Sequence, residues 1–426
     1  MYKAVSAEEA VKVIKSNDRV YIQAAASASQ ILINAMSARH EELRGVEVCH
    51  LHIEGETPYA DPKYKDSFHV NSLFIGKNVR HTIKAGNGSY TPVFLSEVPN
   101  LFKRNVLPVD VALIQVSTPD KHGYCSLGVS VEAILAVIAN AKHVIAQIND
   151  QMPRVHGEGL IHISELNTFV ECSEPIHEFK IAEPTEIESK IGDNVAQLID
   201  DRSTLQMGIG NIHNAVLSKL IHHKDLGLHT EMFSDGVLEL VEVGAINNSN
   251  KKVARGRTVT GFVTGSERLY RYVDDNPEVT FLDIEFVNNP VVIAKNPLVT
   301  SINSAIQIDL TGQVCADSMG HKIYSGVGGQ VDFVLGATFS DHGKSIIALP
   351  STARKGSLSR LVPALERGAG VVTTRAAVDY VITEYGVAEL RGRSLTERAR
   401  DLIKIAHPDF REQLAREAWD SLAMRV

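Results

Sequence analysis

Nothing in these 426 residues pairs its cysteines: Cys49, Cys125, Cys172 and Cys315 stand far apart, with neither a CxxC pair nor a zinc-ligand spacing. That excludes a disulfide framework, makes reduced thiols the plain expectation and speaks against a catalytic cysteine. No run approaches the roughly 18 uninterrupted apolar residues of a membrane-spanning helix, so no membrane partner is expected. Positive charge is in deficit too, with 43 Lys and Arg against 51 Asp and Glu and a net charge of −8. Phosphate-backbone binding calls for a basic surface, so nucleic acid is excluded as the main partner. A small anionic ligand is not, because a local pocket or a helix N-terminus can hold one. The opening MYKAVSAEEAVKVIKSNDRV reads as an amphipathic helix rather than a signal peptide, and a cytoplasmic protein is expected.

What is present is ordinary globular composition, 44% hydrophobic and 22% charged. The length implies two domains of roughly 200 residues each. Short apolar runs alternate with helical segments, which indicates an α/β fold with largely parallel sheets. Candidate strands are 46–53, 111–117, 142–148, 346–350 and 371–373; candidate helices are 7–15, 131–139, 186–199, 211–220, 361–367 and 394–405. The last begins SLTE, a capping-box pattern with Ser394 as N-cap and Glu397 reaching back. A stretch rich in proline and acidic residues, 172–186, reads as a linker and divides the chain into 1–185 and 186–426. A loosely similar phrase in each half, from Ile114 and from Ile306, suggests two related domains facing a ligand cleft.

Residues 205–236 read as strand, glycine turn, helix, strand, and a loop holding Glu231 in HTEMFSDG. Gly208 and Gly210 allow close backbone approach to a ligand, and Asn211 is placed to cap the helix that follows. That helix N-terminus suits an oxyanion or a phosphate. A bare strand-to-helix turn is the competing reading. A dinucleotide fingerprint competes as well, since an acidic residue follows the glycines, but His213 occupies the place of its third small residue. Glu231 stands out from other acidic residues because it falls at a strand end, where open α/β sheets bind ligands; Asp235 is placed to cap the next helix. The loop SGVGGQVDF (325–333) carries Gly326, Gly328 and Gly329, then Gln330, and reads as a site wall or anion nest. A carboxylate between two runs of bare amides suits acyl transfer. In LPSTARKGSLSR (349–360), Arg354, Lys355 and Arg360 either meet phosphates or lie solvated. His50, His52 and Glu54 share a strand face and His222, His223 and His229 cluster in sequence, but neither set has a recognised ligand motif, and no metal is expected.

The chain resembles the acetyl-CoA hydrolase/transferase family, in its butyryl-CoA or 4-hydroxybutyrate CoA-transferase branch. The resemblance rests on FLSEVPNLF (94–102), LPVDVALIQVSTPDKHGYCSLGVSVE (107–132), AQINDQMPR (146–154), GLHTEMFSDGV (227–237), SINSAIQIDLTGQV (301–314), YSGVGGQVDF (324–333), ITEYGVAELRG (382–392) and LIKIAHPDFRE (402–412). It implies two CoA-transferase-type α/β domains with the active site between them, in a homodimer or higher homo-oligomer. It implies transfer of CoA between a short-chain acyl-CoA, butyryl- or 4-hydroxybutyryl-CoA, and acetate, with acyl-CoA hydrolysis as the alternative. Glu231 matches the residue that becomes a glutamyl-CoA thioester in a ping-pong cycle. Coenzyme A enters as substrate, no cofactor is permanently bound, and the cycle needs neither a metal nor a general-base dyad. By the same resemblance, amides near Gly208, Ile209, Gly210 and Asn211 and in the 326–329 loop stabilise tetrahedral intermediates. Asn288 of FVNNP positions the glutamate, and Gln330 belongs to the CoA-contacting loop. Two places depart from the family pattern: AAASASQIL (24–32) replaces a segment with glycine and proline, and His213 replaces a proline.

Overall fold

The computed structural model describes residues 3–180 and 182–426. The chain forms two compact units: the first holds the chain through Lys180 and also Val259–Val287, the second the intervening chain to Thr258 and then Asn288–Val426. The expected single boundary at 185/186 therefore differs from the structure by a return excursion. Its cause is backbone pairing inside the first unit. Val131 N–H donates to Gly261 O, Val263 N–H to Val129 O and Phe179 N–H to Gly265 O, each at 2.9 Å. Periodicity alone does not say which sheet so short a segment joins.

In the first unit, seven strands form a wholly parallel sheet: β1 (Arg19–Ile22), β2 (Val46–His50), β3 (Phe68–Ser72), β4 (Gly88–Tyr90), β5 (Val111–Val116), β6 (His143–Asn149) and β7 (Thr168–Cys172). Their order is β7-β6-β5-β1-β2-β3-β4. Every residue of β5 is buried, the continuous apolar run that a parallel strand covered on both faces requires.

The second unit is built on β8 (Thr204–Gln206), β9 (Gly227–Leu228), β10 (Val299–Ser304), β11 (Lys344–Ala348), β12 (Tyr380–Thr383) and β13 (Gly386–Glu389). Their order is β9-β8-β10-β11-β12-β13, parallel except for the antiparallel β12–β13 pair. The loops that follow β8, β9, β10 and β11 therefore leave the same edge of the sheet, where such folds gather their ligand-binding groups. Behind them lies one apolar core. Ile347 and Val381 from the strands meet Ala399 and Leu402 of one C-terminal helix and Leu414 and Ala418 of the next.

Most expected elements are present within a few residues of their sequence limits. The capping box at Ser394 forms, with Glu397 N–H donating to Ser394 Oγ at 3.4 Å and Ser394 N–H to Glu397 Oε2 at 2.8 Å. Two expectations are corrected. Residues 361–367 do not form a helix: Leu361–Val362 is a short strand paired with Gln307–Asp309. Residues 371–373 form no strand beyond a single bridge between Thr373 and Val314. The two similar phrases also diverge, since Ile114 lies in β5 whereas the Ile306 phrase enters a small separate sheet. A helix absent from the sequence reading, Pro408–Leu422, opens with proline at a first-turn position, which costs it no backbone hydrogen bond.

Candidate functional site

The site is assembled within the second unit. From β8 the chain makes the glycine turn and enters helix α1 (Asn211–Lys219); from β9 it passes through His229 and Thr230 to Glu231. Thr230 ties the two connections together. Its buried hydroxyl accepts from Met207 N–H at 3.2 Å and lies 3.0 and 2.8 Å from the Met207 and Met232 carbonyl oxygens. After Glu231 comes α2 (Gly236–Glu242). Asp235 occupies its N-cap position, but its side chain makes no capping bond.

Glu231 meets two distant segments. Asn288 Nδ2 donates to Glu231 Oε2 at 3.1 Å and lies 3.4 Å from Asp332 Oδ2. A flipped amide would set its oxygen against both carboxylates, so the surroundings fix its orientation. Asn288 is fully buried, and its Oδ1 has no hydrogen-bond partner. Its neighbour Asn289 accepts from Val291 N–H at 2.9 Å and caps the short helix Pro290–Ile293. The asparagine doublet thus divides its work, with Asn288 alone facing the glutamate.

The third contribution comes from α3 (Gln330–Phe339), whose N-cap is Gly329. Gly329 N–H donates to the Glu231 carboxyl. A Cβ on Gly329 would fall on Glu231 Oε2 and Asn288 Nδ2, so only glycine leaves room for the carboxylate. Asp332, 4% exposed, sits in the first turn of α3, where the helix dipole favours an anion.

Glu231 keeps part of its surface open, yet its carboxyl is enclosed by protein, and the enclosure governs its titration. Burial pushes its pKa up from 4.5 to about 7; the Asn288 amide opposes the rise, the Asp332 charge adds to it, and the Gly329 N–H opposes it. The result is a carboxylate more basic than usual, held by two donors, as a nucleophile needs.

Of the residues singled out from sequence, the structure brings Glu231, Asn288 and Gly329 into direct contact. Gly326 and Gly328 lie buried in the turn leading to Gly329. Gly208, Ile209 and Gly210 form the turn after β8, joined to the Glu231 loop through Met207 and Thr230. Gly210, at φ 125° and ψ 174°, adopts a backbone that other residues avoid. One assignment changes. Asn211 is not the cap of α1, since Gly210 holds that position and Asn211 Nδ2 lies 3.4 Å from Glu188 Oε2. The Gln330 side chain turns inward, donating to Ser304 O at 2.8 Å and accepting from Thr373 Oγ1 at 2.9 Å. His213, where the family pattern has a proline, fits because Gly208 yields the space: a Cβ there would come within 2.8 Å of the imidazole.

Arg354 and Lys355 lie exposed at the tip of a hairpin, and Arg360 Nη1 donates to Ala305 O at 3.2 Å. Several of the noted histidines have protein partners: His50 Nε2 meets Tyr59 Oη at 3.0 Å, His223 Nε2 meets Ile199 O at 3.0 Å, and His229 Nδ1 meets Asn296 Nδ2 at 3.3 Å. Among the described residues no group of three or more His, Cys, Asp or Glu is placed to hold a metal ion, and no helix is long and apolar enough to cross a membrane. Asp332 lies in the SGVGGQVDF loop singled out from sequence, where it was given no role of its own. Its signal was present, an acidic residue in the first turn after a glycine run, but its partner lies 44 residues away in sequence.

Comparison with known proteins agrees with this architecture. The acetyl-CoA hydrolase/transferase N-terminal domain matches residues 1–180 and the C-terminal domain matches residues 265–418. The chain is 49% identical over 415 residues to the 4-hydroxybutyrate coenzyme A transferase of Clostridium kluyveri, covering 97% of each. It is 48% identical over 424 residues to the succinyl-CoA:acetate/propanoyl-CoA:succinate CoA transferase of Fasciola hepatica, covering 98% of this chain and 88% of that one. Among solved structures, 4-hydroxybutyrate CoA-transferase from Porphyromonas gingivalis superposes with a TM-score of 0.84 at 42% identity, covering 97% of both chains.

Proposed function

The chain belongs to the acetyl-CoA hydrolase/transferase family and is a CoA-transferase, and from that premise we propose that it transfers CoA between butyryl- or 4-hydroxybutyryl-CoA and acetate through a glutamyl-CoA thioester on Glu231. The observation that carries this reading is the enclosed Glu231 carboxyl, raised to about 7 and gripped by Asn288 and Gly329. Ionised, it attacks the thioester carbonyl; the C–S bond breaks, leaving an acyl-glutamyl anhydride and CoA thiolate. The thiolate then attacks the glutamyl carbonyl and expels the first carboxylic acid as its anion. The second carboxylate reverses these steps. When the thiolate adds, negative charge develops on an oxygen of the Glu231 carboxyl. Its existing donors, Asn288 Nδ2 and Gly329 N–H, are then the oxyanion donors, and they need no rearrangement to serve. Losing one such donor typically costs about 3 kcal/mol of transition-state stabilisation.

Acyl-CoA incubated without acceptor should leave a CoA-sized mass on the peptide containing Glu231, and its absence under turnover conditions refutes the covalent route. Rates with acetyl-, propionyl-, butyryl-, 4-hydroxybutyryl- and succinyl-CoA against acetate identify the acyl group. The expected order places 4-hydroxybutyryl- or butyryl-CoA first, in keeping with the Clostridium kluyveri relative; a faster succinyl-CoA reaction overturns that assignment. Release of CoA that does not depend on added carboxylate would instead favour hydrolysis.

The Asp332 charge gives the mechanism a pH signature. The attacking form of Glu231 is the anion, so transfer should rise with pH through about 7. Asp332→Asn removes a like charge beside it and should move that rise to lower pH, read from kcat/KM between pH 5 and 9. An unmoved limb would mean that Asp332 does not set the nucleophile's titration.

A further inference from the structure

We infer that Lys251, assisted by Asn248, is the positioning residue that holds the strand leading to Glu231 in register; this rests on Glu231 being the nucleophile. The strand in question, β9, is two residues long and lies at the sheet edge. On its inner side Gly227 N–H and His229 N–H donate to Ser203 O and Leu205 O of the β8 region, at 2.9 and 3.0 Å. The outward-facing backbone groups of such an edge are otherwise left unpaired.

Here the segment 245–251 satisfies them. Leu226 N–H donates to Ala245 O, and Leu226 O accepts from Asn247 and Asn248 N–H, all at 2.9–3.1 Å. At Leu228 side chains take over. Leu228 N–H donates to Asn248 Oδ1 at 2.8 Å, and Lys251 Nζ donates to Leu228 O at 2.7 Å. Asn248 is itself fixed by Nδ2 on Thr258 Oγ1 at 3.2 Å. Both backbone groups of the residue that launches the Glu231 loop are thus held by side chains.

Lys251 is an expensive choice for mere filling. It is 2% exposed, and among the described residues no carboxylate pairs with it. Its second acceptor is another carbonyl, Arg257 O, at 2.5 Å. An apolar side chain would occupy the volume without the desolvation cost of a buried amine. What the amine adds is direction, two donors aimed at two carbonyls. Burial lowers its pKa to about 7, and the neutral amine has just the two N–H groups that these acceptors use. The fold also makes room for it, because a Cβ on Gly227 would come within 2.6 Å of Lys251 Cγ.

Lys251→Met keeps the length and removes the donors. Its kcat should fall about 10- to 100-fold, as a nucleophile displaced by around 1 Å loses rate on that scale. KM for acyl-CoA and for carboxylate should stay within about two-fold, and glutamyl-CoA should form more slowly. Asn248→Ala removes the other half of the clamp, supplies a second variant if the first does not fold, and should show the same split. The two losses should be less than additive, because they loosen one strand. A folded Lys251→Met or Asn248→Ala enzyme with wild-type kcat overturns the inference, whether or not its Tm falls, and so does a loss confined to KM. If the wild-type enzyme forms no glutamyl-CoA, the assignment of Glu231 is what fails.

Discussion

Glu231→Gln should abolish transfer and, above pH 7, stabilise the protein. The amide fills the same volume but cannot attack a thioester, and loss of a covalent nucleophile typically costs roughly 10⁴-fold or more. No CoA-derived mass should appear on the variant. The gain in stability follows from the sign of the shift. The folded-state pKa of about 7 lies above the ordinary 4.5. The folded form therefore binds its proton more tightly than the unfolded chain does, an advantage fully present below 4.5 and lost as pH rises through 7. Holding the ionised carboxyl costs on the order of 3 kcal/mol. A Tm comparison should show the variant above wild type at pH 8 and the two converging near pH 4. Retained transfer would refute the nucleophile assignment; equal Tm values at pH 8 would mean the carboxyl is better solvated than its surroundings indicate.

Gly329→Ala should be nearly as damaging while leaving the fold intact. The backbone there, φ −94° and ψ 6°, has a negative φ that alanine also adopts, so the substitution introduces no left-handed strain. The added methyl, however, would occupy the space of Glu231 Oε2 and Asn288 Nδ2. Either the carboxylate swings away from both donors or the start of α3 retreats, taking the Gly329 N–H with it. Misplacement by about 1 Å costs around 10²-fold, and an oxyanion donor lost as well costs a similar factor. The expected signature is kcat reduced by about 10²- to 10⁴-fold with an almost unchanged Tm. Wild-type kcat in this variant would show that the close approach of helix and carboxylate has no part in the reaction.

The parts of the site that were legible in the sequence are local. Glu231 at a strand end, the glycine turn before α1, and the glycine run before α3 each follow from residue types within a few positions, because strand ends and tight turns have short-range signatures. The FVNNP asparagine was reachable only through family resemblance, since nothing local separates Asn288 from Asn289; the structure separates them by giving Asn289 the helix cap. Asn211 illustrates the reverse case: it was expected to cap the helix, yet Gly210 takes the capping position. The inward turn of the Gln330 amide to Ser304 and Thr373 was likewise not legible in the sequence.

By itself the sequence determined the α/β class, the largely parallel sheets and the place of Glu231 at a strand end, because alternating apolar runs and turn chemistry act between near neighbours. Tertiary structure alone decided how that carboxylate behaves. Asn288 lies 57 residues from Glu231, and Asp332 a further 44 beyond Asn288; only the folded chain sets one donor and one like charge against it. The return of Val259–Val287 to the first unit and the tether of Lys251 to Leu228 are decisions of the same kind. The strength of burial, of a hydrogen bond and of a charge depends on distances in space, and separation along the chain carries no record of them.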